Sequence, residues 1–285
     1  MKSARAMLVT SMVIFGTLGP FVRSVPVSSG ELALYRAILA SLLIGLYLLA
    51  TRQRIPFARI RRSLPLLLAS GMAMGFNWIL LFEAYKYTTV SVATLSYYFA
   101  PVIVTAACPF LFKEELTKRQ LLCFAMSTLG IVLITGLGDL SQGSRHLLGV
   151  GFGLGAAVLY ASVILLNKFI RDVDGIHRTF LQFLSAIIVL IPYVAMTSGV
   201  TLGAMTPIGW ACLLLVGLVH TGVTYCMYFT ALRDLPGQKA AILSYIDPLV
   251  AVLISVAVLG EALTPAQAVG GALILGFTLY NEIAS

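Results

Sequence analysis

Long apolar runs broken by short polar stretches set the rhythm of this chain. About 20 apolar residues, rising 1.5 Å each, span the roughly 30 Å hydrocarbon core of a bilayer. A window of that length predicts ten helices, at 6–23, 31–50, 64–83, 91–112, 120–137, 147–168, 179–198, 208–230, 239–259 and 266–282. The connections are short, and none has room for a soluble domain. The predicted class is an all-α integral membrane protein.

Polar positions inside the spans recur at helical spacing. On the fourth helix they are Ser91, Thr94, Tyr98, Pro101 and Thr105; on the ninth, Ser244, Asp247, Ala251 and Ser255 form one stripe. The eighth carries Gly217, Thr221, Thr224 and Tyr228, with His220 and Tyr225 beside them. A polar stripe against lipid is costly, so these faces are predicted to meet protein or water. Ser and Thr also satisfy their hydroxyls on their own backbone, which makes helix packing the plainer reading for them. The same holds for the small-residue spacings Gly149/Gly153 and Gly151/Gly155 on the sixth helix, read here as close packing.

Composition agrees with a membrane setting. Of 285 residues, 59% are hydrophobic and 11% charged, against about 25% charged in a soluble domain; mean hydropathy is +0.97. With the N-terminus in the cytoplasm, fifteen of the 19 Lys and Arg residues fall in inner segments. Three (Arg23, Lys86 and Arg145) fall in outer ones, and Arg36 lies within a span. That bias follows the positive-inside rule and predicts that both termini are cytoplasmic. The net charge of +8 is then a topology signal and not a nucleic-acid footprint. The basic segment "RQRIPFARIRR" (52–62) also suits contact with anionic membrane lipid. Four cysteines in apolar runs, with no C-x-x-C pair, read as small hydrophobes and not as metal ligands or a disulfide framework.

The chain repeats itself. "LSYYFAP" (Leu95–Pro101) matches "LSYIDP" (Leu243–Pro248) with one residue inserted. Thirteen residues after each proline stands a glutamate, Glu114 in "KEELT" and Glu261 in "GEALT", and Gln120 and Gln267 follow at equal spacing. Phe15-Gly16 aligns with Tyr160-Ala161, Arg23 with Lys168 and Gly30 with Gly175, all offset by 145. Two repeats result, 1–140 and 141–285, each with five spans. An odd number of spans turns the second repeat upside down, an arrangement that places substrate at the interface of the halves and permits alternating access.

These residues resemble a known domain. An Ala-Tyr or Ala-Leu end to the third helix, a fourth helix ending in P-x12-E-x-L-T and a glycine-containing fifth helix resemble the EamA domain, here at Ala84–Gly130 and Ala231–Gly276. Two tandem copies resemble the drug/metabolite transporter superfamily, and "FNWILLFEAYKYTTVSVATLSYYFAP" (Phe76–Pro101) is most similar to its YddG-like amino-acid exporters. The resemblance implies ten helices around a central cavity built mainly from helices 1, 3, 4, 6, 8 and 9. It also implies a secondary carrier that exports amino acids, aromatic ones among the candidates, across the inner membrane of a bacterium. Efflux of drugs or other metabolites is the alternative. The halves are not equivalent: Gln182 stands where the first half has Arg36, and Ala100 where the second has Asp247.

Candidate cavity residues are Asn77, Trp78, Tyr98, Tyr160, His220, Thr224, Tyr225, Tyr228, Tyr245 and Asp247. Asp247 is eight residues into its predicted span, about 12 Å deep at 1.5 Å per residue. A carboxylate there serves either as a proton or cation acceptor or as a structural group capping backbone loosened by Pro248. His220 is the second candidate for coupling and is equally suited to a packing role. Asn77 and Trp78 suit a polar head and a stacked apolar group, and Trp78 suits an anchor as well. Pro101 and Pro248 mark paired kinks for gating. Glu83 is read as interfacial beside Lys86, and Glu31 and Arg36 as an outer-end salt bridge. No Walker A motif is present, so no nucleotide and no other cofactor is predicted, and a monomer suffices. An intramembrane aspartyl protease is the rival from another class, since "GLGD" (Gly136–Asp139) and Tyr245–Asp247 carry fragments of its motifs. Their order is reversed, however, and Asp139 falls in a loop.

Overall fold

The computed structural model describes residues 2–53, 60–112, 117–135, 143–170, 173, 175–235, 243–244 and 246–283. Glu114, Gly136–Asp139 and Tyr245 lie outside the described residues. Among the described residues every regular element is helical.

The first apolar run forms α1 (Lys2–Gly16) and α2 (Leu18–Arg23), parted at Thr17. The next two form α3 (Ser29–Ala50) and α4 (Leu64–Tyr87). The fourth run divides into α5 (Val90–Tyr97) and α6 (Ala100–Phe112), followed by α7 (Lys118–Thr135), α8 (Gly143–Phe169) and α9 (Gly175–Met196). The eighth run is composite: α10 (Pro207–Leu214), a π-helical segment at Leu215–Val223, and α11 (Thr224–Asp234). α12 (Ile246–Ala257) and α13 (Pro265–Ile283) complete the chain. Among the described residues six helices are long and apolar enough to cross a membrane: Ala4–Arg23, Ser29–Ala50, Leu64–Tyr87, Ser144–Asn167, Gly175–Met196 and Pro207–Tyr228. Val90–Val104 and Ile246–Ala257 are shorter apolar helices. Outward-facing Leu46, Leu49, Ile188 and Leu253 are all exposed, as side chains that meet acyl chains would be.

Local chemistry explains where helices begin. Ser28 and Glu31 form a capping box at α3, each side chain bonding the other's backbone N–H. The repeated Thr-x-x-Gln does the same at α7 (Thr117 with Gln120) and at α13 (Thr264 with Gln267). Part of the duplicated motif is thus a helix start and not chemistry. Pro248 lies in α12 with helical backbone already present at 243–244, and Pro101 sits in the first turn of a helix, second in α6. There the missing N–H removes no hydrogen bond, because first-turn donors have no intrahelical partner.

The helices pack in a definite set of pairs. α4 lies against α8 and α9, α3 against α9 and the π segment, and α1 against α11 and α12. α8 also meets α5 and α6, α12 meets α5, and α7 packs chiefly on α13. Glycine permits the closest approaches. A Cβ at Gly71 would collide with the Gln182 carbonyl and Ser185 on α9. Gly149 and Gly153 press on Thr88 and Ser96, and a Cβ on Gly155 would lie 3.1 Å from Leu80, but Gly151 faces open space, so the predicted small-residue packing omits it. Phe82 and Phe183, both fully buried, centre the main core between α3, α4 and α9.

Candidate functional site

A cavity of about 260 Å³ lies where these elements converge. Met12, Phe15 and Gly16 of α1 and Gly19 of α2 line one wall, and Trp78, Leu81 and Tyr85 of α4 another. Thr94, Tyr97, Tyr98 and Pro101 contribute from α5 and α6, Tyr160 from α8, and Tyr225 and Tyr228 from α11. Ser244, Asp247 and Ala251 complete it. The aromatic rings brace one another: Tyr97 lies 5.1 Å from Tyr160 and 5.8 Å from Tyr98, and Tyr225 meets Phe15 and Phe183 edge-on.

Asp247 is held in place by Tyr98, whose hydroxyl donates to Oδ2 at 2.5 Å. Its backbone is fixed as well, because a Cβ on Gly16 would lie only 2.6 Å from the Asp247 carbonyl oxygen. A guanidinium lines the same cavity. Arg36, 3% exposed, donates Nε to Thr221 Oγ1 at 3.0 Å and stacks over Trp78 at 4.3 Å and Phe82 at 5.4 Å. The predicted Glu31–Arg36 salt bridge is not formed. Glu31 instead accepts from Ser28, Tyr35 and Thr201 at the helix start. The reason is angular: residues five apart on a helix lie on different faces, whereas neighbours on one face are three or four apart.

The other candidates divide. Trp78, Tyr98, Tyr160, Tyr225, Tyr228 and Asp247 line the cavity, as does Pro101. Asn77 is buried and donates to the Ala156 carbonyl at 2.6 Å, tying α4 to α8. His220 is buried between Thr17 Oγ1 (3.0 Å) and the Leu215 carbonyl (3.3 Å), beside Phe21. Thr224 donates to the Val219 carbonyl, five residues back, and Thr221 likewise to Val216. These i−5 bonds accompany the π-helical winding, in which Gly217, Thr221 and Gly222 face α3 at Leu39, Arg36 and Leu43, while Tyr228 of the predicted stripe reaches the cavity. Pro248 is buried outside the cavity wall. Glu83 and Lys86 pair at 3.0 Å.

A polar cluster is bonded to the wall of the cavity. Gly260, at φ +66°, reverses the chain after α12 and returns Glu261 toward it. Glu261 pairs with Arg23 at the end of α2 and accepts from Ser255 and from the Val90 N–H (2.8 Å) at the start of α5. Arg23 also donates to the Tyr85 carbonyl (2.9 Å) and the Thr88 carbonyl (2.8 Å). Since Tyr85 and Val90 line the cavity, this cluster is fastened directly to its wall. Tyr85 borders a second cavity of about 430 Å³ as well, with Arg23, Phe82 and Lys86. Arg36 and the Arg23–Glu261 pair are the residues that pattern alone did not bring forward. Arg36 had one usable signal, a charge deep in an apolar run with no acid three or four residues away.

Membrane-length apolar helices around a cavity, with every described regular element helical, are the architecture of a membrane transporter. The chain belongs to the EamA-like transporter family, whose pattern matches twice, at residues 2–136 and 147–281. It is 32% identical to the "Uncharacterized transporter YxxF" of Bacillus subtilis (strain 168) over 87% of this chain and 79% of that protein. It is 27% identical to the "Threonine/homoserine exporter RhtA" of Escherichia coli (strain K12) over 79% of this chain and 74% of that one. A crystal structure 17% identical in sequence shares the fold, with a TM-score of 0.65 over 97% of this chain and 96% of that one.

Proposed function

We propose that the protein is a secondary carrier of the cytoplasmic membrane that exports amino acids by alternating access between two inverted halves, 1–140 and 141–285. The observation that carries this reading is a cavity lined from both halves, holding one guanidinium and one carboxyl group, Arg36 and Asp247, among aromatic walls. An amino acid carries both charges at once, and Asp247 with Tyr98 is the group that meets its ammonium. Export of threonine and homoserine by the E. coli relative fits the same chemistry.

The packing supports the inverted repeat. Exchanging each element for its counterpart in the other half turns α4–α8 into α11–α1, α4–α9 into the π segment with α3, and α5–α8 into α12–α1; α7–α13, α5–α12 and α3–α9 map onto themselves. By the charge bias, the Arg23–Glu261 end faces outward, so the pair ties α2, α5 and the Glu261 loop together on that side. Opening then requires α2, α5 and the Glu261 loop to part.

Counterflow tests the reading. Proteoliposomes preloaded with an unlabelled amino acid should accumulate the labelled form in a saturable way, with L-threonine, L-phenylalanine, a nucleoside and a quaternary ammonium compared. Accumulation of the nucleoside or the cation but of no amino acid would move the assignment to metabolite or drug efflux. Flux that does not saturate would remove the carrier reading.

A further inference from the structure

Arg36 is a charge with unfinished bonding. It stands seven residues beyond Ser29 in α3, about 10 Å along the axis. Of the five N–H donors of a guanidinium, only Nε has an acceptor among the described residues, Thr221. No described carboxylate pairs with it. A guanidinium keeps its proton throughout the physiological range, and burying it without an anion is costly.

The stacking decides which part stays free. Trp78 and Phe82 cover the ring-facing plane of the guanidinium, and Thr221 takes one edge nitrogen. What remains is the edge bearing the two terminal nitrogens, in a residue that lines the cavity. Two parallel N–H groups are the geometry that grips a carboxylate with both oxygens. Among the described residues Asp247 is the only other acidic or basic side chain on the cavity wall, so a second anionic group on the substrate would find no second cation there. That disfavours dicarboxylates and inorganic phosphate and favours a zwitterion.

We infer that Arg36, seated on Trp78, is the anchor for the substrate's α-carboxylate and makes the carrier selective for free amino acids over their amides; the inference rests on the amino-acid reading above and makes it specific.

The test compares ligands on the unmodified protein. Proteinogenic L-amino acids and their α-amides are titrated against full-length protein in nanodiscs by calorimetry. Replacing a carboxylate by an amide removes the charge from a two-pronged bond, so at least one free acid should bind and its amide should bind about tenfold or more weakly. The chain has two tryptophans, and Trp210 is 41% exposed and away from the cavity. A W210F variant therefore isolates Trp78, whose emission should shift with the non-aromatic acids and not with their amides. Arg36→Gln should bring the acid down to its amide's affinity and leave the amide unchanged. The ligand comparison stands even if that variant does not fold. Acid and amide binding within about threefold of each other would overturn the carboxylate anchor and leave the amino-acid reading standing. Binding of neither acids nor amides would overturn both.

Discussion

Glu261→Gln keeps the shape of the residue and removes its charge. Glu261 is 11% exposed and Arg23 32%, so the pair is only partly screened. Three donors converge on the carboxylate: Arg23, the Ser255 hydroxyl and the Val90 N–H. Bonds to a charged acceptor contribute about 1.5–3 kcal/mol each, neutral ones about 0.5–1.5, and a partly exposed ion pair adds under about 1. With discounts for exposure, the closed state should lose about 2 kcal/mol, a factor of about 30 in the closed-to-open ratio. Leu81 lines the cavity and, as Leu81→Cys in a background without native cysteines, reports access to it. In spheroplasts, a membrane-impermeant maleimide should label that cysteine about 30-fold faster when Glu261→Gln is added. If labelling does not change while the melting temperature falls, the cluster is a static brace and the gating argument is wrong.

Three further outcomes follow from the geometry. Tyr98→Phe removes the donor to Asp247 and should raise KM for acid and amide alike by about tenfold, since a bond to a charged group is lost; an effect confined to the acid would separate Asp247 from the ammonium. Gly16→Ala places a methyl against the Asp247 carbonyl and Val250 and should cost about 1–3 kcal/mol by overpacking, seen as a lower melting temperature together with lost transport. Thr264→Ala removes the α13 cap and should cost about 1 kcal/mol while leaving counterflow intact, because α13 does not line the cavity.

The helical class was legible because hydrocarbon leaves a chain few options. Any 20-residue apolar run must pair its own backbone, and the boundaries of α3, α4 and α9 lie close to the expected ones. Tyr98, Tyr225, Tyr228 and Asp247 could be grouped in advance because polar groups at helical spacing must turn away from lipid. Which polar groups face the cavity, and which are spent on a neighbouring helix, was not legible. Asn77 and His220 look like ligands in one dimension, and their partners, Ala156 and Thr17, lie 79 and 203 residues away. Arg36 was obscured by Glu31, near in sequence but on another face of α3. The stripe on the eighth run does meet protein, but it divides, with Gly217 and Thr221 against α3 and Tyr228 on the cavity, across a segment wound more widely than 3.6 residues per turn.

That wide winding has a mechanical consequence. In Leu215–Val223 the side chains of His220, Thr221 and Thr224 bond to carbonyls five residues back, while α10 and α11 on either side keep the ordinary register. Exchanging a bond to the fifth carbonyl for one to the fourth rotates everything beyond it without leaving an N–H unpaired in hydrocarbon. In the carrier proposed above, the segment would serve as a swivel that keeps its hydrogen bonds as it turns, with Tyr225 and Tyr228 on one side and Trp210 on the other. A membrane helix that must twist between two states has few cheaper places to do so.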